Sequence, residues 1–267
     1  MVAFAANSLL NRLALLDDAI GPAEFAAIRV FSGVVVLVLL LTIQDRSLPK
    51  PMAPQWVAIG GLAIYMLGFS FAYVSMDAGL GALILFGIVQ ITMFGGALLE
   101  GDNAPVQRWA GMILAMAGLA LLTYPSGAVK LDLTALLLMV GAGIGWGIYS
   151  LVGRRVAEPV SATAWNFVYC LPIVLIALLF VSAGIEMTSR GVILAMLSGG
   201  VTSALGYALW YAILPQLGAT RGALAQLSAP AIALFLGAIL LGETVTLTAM
   251  LAATLILGGI AIGLVRR

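Results

Sequence analysis

The sequence contains no histidine, a single cysteine (Cys170) and few charges, with only 9 % of its 267 residues being Asp, Glu, Lys or Arg. Without histidine, and with its one cysteine inside an apolar run, the chain excludes His/Cys zinc sites, His-based triads, Cys–His nucleophiles and any disulfide framework. No metal or cofactor is expected. The twelve basic residues are scattered and nearly balanced by eleven acidic ones, for a net charge of +1. That leaves no electrostatic footprint for nucleic acid. So few charges also exclude a water-soluble fold, since soluble domains carry about 25 % charged residues. What is present instead is apolar: 63 % of residues are hydrophobic and the mean hydropathy is +1.16. The composition is that of an integral membrane protein.

The apolar runs are about 20 residues long, the length a helix needs to cross roughly 30 Å of hydrocarbon; barrel strands would alternate over about ten. Cutting at Pro, Gly and charge clusters predicts spans at 2–16, 23–43, 55–76, 80–99, 106–124, 133–153, 160–183, 190–214, 219–241 and 246–265. The connections are short, so function must reside within the helices. The first span offers only about 16 residues, or roughly 24 Å; it either lacks one or two turns or begins inside the bilayer. The start MVAFAANSLLNR has no basic stretch before its apolar run, so no cleavable signal is expected. Placing both termini in the cytoplasm puts Arg46, Lys50, Arg108, Arg154, Arg155, Arg221, Arg266 and Arg267 inside. Only Arg12, Lys130 and Arg190 then fall near the outer side, the bias that cytoplasmic loops show.

Residues 81–102 (GALILFGIVQITMFGGALLEGD) align without a gap over 222–243 (GALAQLSAPAIALFLGAILLGE), with nine identities in 22 positions. A weaker echo joins Ser8-Leu9 and Arg12 to Ser150-Leu151 and Arg154 at an offset of 142. The offset spans five helices, an odd number, so the second copy starts from the opposite side of the membrane. The expected fold is thus an all-α polytopic membrane protein of ten transmembrane helices, arranged as two inverted five-helix repeats at 1–128 and 129–267. That architecture is associated with secondary transporters, whose sites lie near the midplane between the halves.

The run LSAPAIALFLGAILLGETVTLTAMLAATLILGGIAIGL (Leu227–Leu264) resembles the last two helices of EamA-type transporters of the drug/metabolite transporter superfamily. In those, a Pro-bearing helix ends in a Gly-Glu turn and a glycine-rich helix closes the chain. FAANSLLNRLAL followed by PAEFAAIRVF is similar to their first two helices, with an arginine at the position of Arg29. WGIYSLVGRR (Trp146–Arg155) is similar to the opening helix of their second repeat. In one departure, Val89-Gln90 stands where many relatives have a proline, whereas Pro230 is kept in the second repeat. The resemblance implies export of amino acids or similar small metabolites across a bacterial cytoplasmic membrane.

Intramembrane polar residues are costly and functional by default. Gln90 and Gln226 lie inside apolar spans and are read as cavity residues, with helix–helix hydrogen bonding as the alternative. Asn7, Ser8 and Asn11 form a stripe that must face the bundle, and Asn166 is read similarly. Tyr65, Phe69 and Tyr73 recur at spacing four and share a helix face. Tyr65, Tyr207, Trp146 and Tyr149 lie deep enough to form an aromatic wall with polar tips. Trp56, Trp109, Tyr124 and Trp210 are read as interfacial anchors. Arg29 could bind a carboxylate two-pronged, but because relatives with many substrates carry an arginine there it is read as structural, snorkelling outward to pair with Glu24, Asp17 or Asp18, and Arg12 is read likewise. Glu243 and Asp102 are read as turn or helix-end residues, which leaves no carboxylate at mid-bilayer. The small multidrug-resistance relatives place a glutamate in their first helix, where this chain offers only Asn7, Ser8 and Asn11.

The expected lining of a central cavity is Asn7, Asn11, Tyr65, Phe69, Gln90, Trp146, Tyr149, Asn166, Tyr207 and Gln226. Its few charges suit a neutral or zwitterionic small molecule, carried by a functional monomer embedded in the lipid bilayer. The rival from another class is an intramembrane enzyme acting on a lipid-linked substrate. Such enzymes place Asp, Glu, His or Lys near the interface and often carry sizeable loops, and this chain has no histidine, no carboxylate cluster and minimal loops. A membrane scaffold would leave the repeat without a use.

Overall fold

The structure is a computed structural model that describes residues 1–16, 18–47, 49–99, 105–123, 132–153, 156–181, 184 and 186–264, without the side chains of 97, 119, 122–123, 211–227, 260 and 264. The described residues are helical, with short connections and no strand. Helices α1 (Val2–Leu15), α2 (Pro22–Asp45), α3 (Trp56–Ala72), α4 (Ala78–Leu99) and α5 (Val106–Thr123) precede α6 (Leu133–Gly153) and α7 (Pro159–Val181). Then follow α8 (Ser189–Met196), a π-helical stretch (Leu197–Leu205), α9 (Gly206–Leu241) and α10 (Leu247–Leu264). Five segments are clearly long and apolar enough to span a bilayer, and the remainder includes shorter apolar helices. The surface carries large apolar side chains such as Leu179 and Phe180, 81 % and 85 % exposed. Water would not support such a surface, whereas hydrocarbon does. This is a polytopic membrane protein.

Helix limits follow the apolar runs to within a few residues, except around the eighth and ninth predicted spans. There the sequence predicts one span at 190–214, ended by Pro215, and another beginning at 219. The structure inserts the nine-residue π stretch and then assigns helix from Gly206 through Leu241. Gly199 and Gly200 lie within the wider turns and Gly206 follows them, and Thr202 Oγ1 bonds back to the Ser198 carbonyl at 3.0 Å, the kind of side-chain bond that bends helices. Thr188 donates to the Ala19 carbonyl at one end of this segment, and Glu243 meets Ala78 at the other. Arg12 ties those same two regions together through the Tyr73 and Val74 carbonyls. Both ends of 188–243 therefore lie at one end of the bundle, and the chain doubles back between them.

Glycines set the closest helix crossings. A Cβ on Gly61 would lie 2.7 Å from the Gly145 carbonyl oxygen, and one on Gly145 would lie 2.5 Å from the Gly61 oxygen, so α3 and α6 touch backbone to backbone. Gly111 and Gly259 do the same for α5 and α10. Without a hydrophobic force between helices in lipid, such approach supplies the van der Waals contact that holds them. Helix α2 packs on α7 and on the π stretch, α4 on α6 and α9, and α1 on α8, the π stretch and α9. Gly60, next to Gly61 but facing open space, gives an internal control. Gly61→Ala is expected to destabilise the protein in detergent by about 1–3 kcal/mol through overpacking. Gly60→Ala should be neutral or stabilising by about 0.5–1 kcal/mol. Equal melting shifts for the two variants would contradict this packing.

Candidate functional site

Helices α1, α3, α4, α6 and α9 converge on a cavity of about 10 Å³ lined by Phe4, Asn7, Tyr65, Phe69, Leu85, Phe86, Trp146 and Tyr207. Every lining residue is buried. The volume is room for about one water, whereas small-molecule sites run to about 300–1,000 Å³. The site is therefore closed, and a ligand requires its walls to part. One wall, from α3, α4 and α6, carries Tyr65, Phe69, Leu85, Phe86 and Trp146. The other, from α1 and α9, carries Phe4, Asn7 and Tyr207. They meet ring to ring, with Trp146 at 4.8 Å from Tyr207 and 6.2 Å from Phe4. The Tyr207 and Tyr65 hydroxyls meet at 3.4 Å.

Polar groups behind the rings hold the walls in register. The Asn7 side-chain carbonyl accepts hydrogen bonds from Ser198 and Ser203 at 2.8 and 3.4 Å and a further one from Thr202. The π stretch turns all three hydroxyls toward one oxygen, and π segments recur at functional sites. Arg29 is fully buried beside them. Its Nε donates to Ser203 Oγ at 3.1 Å and one amino group donates to the Tyr65 hydroxyl at 3.0 Å. Its guanidinium lies 5.3 and 5.0 Å from the centres of the Tyr65 and Phe69 rings. Gly199 lets the π stretch approach the Arg29 carbonyl so closely that any side chain there would collide with it.

Arg29 thus does not snorkel outward to Glu24 or Asp18, and among the described residues no carboxylate forms an ion pair with it. Asp17 lies outside the described residues. Burying a lone cation costs several kcal/mol. Two charge-assisted hydrogen bonds at about 1.5–3 kcal/mol each and the ring contacts offset part of that. Its Nη1 atom has no partner. A physical reason for the inward orientation is that Ser203, Tyr65 and two ring faces solvate the guanidinium locally.

The structure thus brings Asn7, Tyr65, Phe69, Trp146 and Tyr207 together at the cavity. Asn11 is buried nearby on α1 and donates to Ser70 on α3 at 3.3 Å. Tyr149 stacks on Trp146 with ring centres 5.5 Å apart and donates to Thr163, with Asn166 beside it. Both belong to the layer behind the lining. Gln90 is half-buried one turn beyond Phe86 on the same face of α4. The Gln226, Tyr211 and Pro215 side chains, and Tyr124 and Asp102, lie outside the described residues. Trp56 and Trp109 are exposed, as anchors would be, but Trp210 packs edge-on against Phe4 at 5.9 Å. Sequence reasoning missed Phe4, Leu85, Phe86, Ser198, Thr202 and Ser203; the clustered hydroxyls and glycines of SGGVTS were the available signal for the last three.

The end of the bundle near Arg12 is closed by a clasp. Arg12 donates to the Tyr73 and Val74 carbonyls at 3.0 and 2.9 Å and reaches Asp77 at 3.7 Å, a structural role as expected. Gly242, at φ 66°, turns the chain out of α9 and presents Glu243. The Glu243 carboxylate accepts from the Ala78 and Gly79 amides at 2.6 and 3.2 Å, capping α4 from across the protein. A carboxylate is favourable there because the first amides of a helix lack internal partners. Glu243 is thus the helix-end residue that the sequence suggested.

The site is a buried, closed, mixed aromatic and polar cavity between two helix groups of a membrane protein. A family model described as the EamA-like transporter family matches residues 133–265. The chain belongs to the EamA-like transporters, of the drug/metabolite transporter superfamily. It is 42 % identical over its whole length, and over 92 % of the relative, to an uncharacterized protein of Pseudomonas aeruginosa. It is 28 % identical to a Salmonella typhimurium protein named "Probable amino-acid metabolite efflux pump", covering 80 % of this chain and 78 % of that one. An Escherichia coli protein of the same name is 24 % identical over the same shares. A solved crystal structure shares the fold at a TM-score of 0.71 and 19 % identity, covering 98 % of this chain and 95 % of its own. Family and relatives' names indicate a transporter rather than an enzyme.

Burial pushes the Glu243 carboxyl above its ordinary value and Asp77 adds to this, while the Ala78 and Gly79 amides and Arg12 act in the opposite direction. A carboxyl raised on folding binds more protons folded than unfolded, so its contribution to stability is greatest at low pH and is lost as pH rises through the raised value. Measured by melting, wild type is expected to lose stability relative to Glu243→Gln as pH rises from the ordinary carboxylate range to neutrality. Glu243→Ala, which removes the α4 cap, should cost about 1 kcal/mol. A pH-independent difference between wild type and the Gln variant would contradict this.

Proposed function

We propose that the protein is a ten-span secondary-type transporter of the bacterial cytoplasmic membrane that exports amino acids or similar small amphipathic metabolites by alternating access. Its two inverted repeats, 1–128 and 129–267, enclose the central cavity, both termini face the cytoplasm, and one chain is the working unit. The observation that carries the reading is the meeting of Tyr65 and Tyr207. They are separated by 142 residues, the offset of the weaker echo and one residue from the 141 of the main repeat, and their buried hydroxyls meet at 3.4 Å.

The packing supports the same reading. With α1 matched to α6, α2 to α7, α3 to the α8 region, α4 to the later part of α9, and α5 to α10, contacts recur in symmetric pairs. Helix α3 on α6 mirrors the α8 region on α1, and α4 on α6 mirrors α9 on α1. Helices α2 and α7, α4 and α9, and α5 and α10 pack on their own counterparts. Pseudo-symmetry of this kind provides two packings of similar energy, one open to each side. Substrate then biases the equilibrium between them. The names of the Salmonella and Escherichia relatives support the substrate class, and the aromatic walls suit a partly apolar solute.

The test is uptake of a labelled amino-acid panel into proteoliposomes, with and without an imposed pH gradient. Saturable uptake of at least one amino acid without a gradient is expected, because no carboxylate is predicted at mid-bilayer. Tyr207→Ala should reduce that uptake at least tenfold. Uptake of no amino acid under either condition would overturn the substrate class.

A further inference from the structure

We propose that Arg29 is the anion receptor of the transport cavity, so that a transported solute carries a carboxylate that serves as a counter-ion of this arginine. The proposal deepens the function proposed above and rests on that reading for the identity of the solute as a transported amino acid.

Three observations support it. First, Arg29 is fully buried, and its hydrogen bonds among the described residues go to neutral hydroxyls, those of Ser203 and Tyr65, with the Tyr207 hydroxyl beside them. Among the described residues no carboxylate forms an ion pair with it. Second, its Nη1 atom is buried with no hydrogen-bond partner, so the charge is incompletely satisfied in the closed state. Unsatisfied buried donors are rare and call for an explanation. Third, Arg29 stands directly behind the cavity wall: it touches the faces of Tyr65 and Phe69 and the hydroxyl of Tyr65, which meets that of Tyr207. Parting the walls breaks the tyrosine contact first and brings the guanidinium within reach of whatever enters.

A purely structural tie between the π stretch and α3 would not need a permanent charge. A neutral glutamine, the longest uncharged donor, could hydrogen-bond a hydroxyl there without the desolvation cost of a guanidinium. Arginine adds a planar fork of donors that matches a carboxylate two-pronged, and it keeps its charge in apolar surroundings. The cavity offers the rest of an amphipathic solute aromatic faces from Phe4, Phe69 and Trp146. Ring faces accommodate an apolar side chain or an ammonium group. The expected preference is therefore acid over amide over amine at constant size.

The experiment uses purified full-length protein in detergent and three probes of one size: benzoate, benzamide and benzylamine. Thermal unfolding is followed against probe concentration. Benzoate should stabilise wild type at concentrations at least tenfold lower than the other two. Arg29→Lys should retain a weakened benzoate effect, because the charge stays and the fork is lost, and Arg29→Gln should abolish it. The wild-type series requires no variant, so the proposal stays testable if Arg29→Gln does not fold. It is overturned if benzoate gives no stabilisation of wild type, if benzamide or benzylamine acts as well as benzoate, or if a folded Arg29→Gln protein keeps the preference. Uptake separates the two readings. If no amino acid is transported but benzoate still acts through Arg29, the substrate class falls and the receptor stands. If amino acids and their amides are transported equally well, transport stands and the receptor falls.

Discussion

Arg29 carries a positive charge into the apolar centre of the bundle, and much of the surrounding architecture is arranged to keep it there. Ser203, on the π stretch, and Tyr65, on α3, each take one of its hydrogen bonds, so the guanidinium ties together two elements far apart in sequence. The unusual turn of the π stretch brings the Ser203 hydroxyl to the arginine, and Gly199 lets that stretch approach the Arg29 carbonyl. Asn7 then fixes the stretch from the other side through Ser198, Thr202 and Ser203. Each group is neutral, and none gives the charge a full partner.

The rest of the protein supplies stiffness around this point. Gly61 against Gly145 and Gly111 against Gly259 bring helix pairs into backbone contact, which fixes their relative positions more firmly than long side chains would. At the cavity itself the walls touch through rings and weakly held hydroxyls, while away from it α4 packs on α9. The 3.4 Å tyrosine contact is a long hydrogen bond, near the limit of a useful one. Separating the walls at the cavity breaks only such contacts, provided that α4 shifts against α9 and the clasp formed by Glu243 at the start of α4 also releases.

Much of this was legible in the sequence. Apolar run lengths and their Pro, Gly and charge boundaries located the helix ends, because those signals are local. The spacing of four among Tyr65, Phe69 and Tyr73 placed them on one buried face, as found. Asn7, Ser8 and Asn11 had to face the bundle, and they do. The direction of Arg29 was not legible: a long cation two turns into a helix can snorkel or turn inward, and the choice depends on partners at 65 and 203 that lie distant in sequence. Nor could the helical pattern reveal that residues 197–205 would wind as a π-helix, since hydrophobic spacing does not distinguish five-residue from four-residue bonding over so short a run. The polar groups behind the lining were partly missed for the same reason, since Ser198, Thr202 and Ser203 point to one oxygen only in that winding.

The account stands or falls on the cavity opening by movement of the α1 side away from the α3 side. Asn11 and Ser70 touch across that boundary at 3.3 Å, outside the lining itself. In a background carrying Cys170→Ser, Asn11→Cys with Ser70→Cys can be bridged by a short, reducible bis-methanethiosulfonate reagent to pin α1 to α3, and proteoliposome uptake measured before bridging, after it, and after reduction. The account predicts that bridging stops uptake, that reduction restores it, and that neither single cysteine variant is stopped in the same way. Full uptake by the cross-linked protein would show that the two walls need not part, and would contradict it.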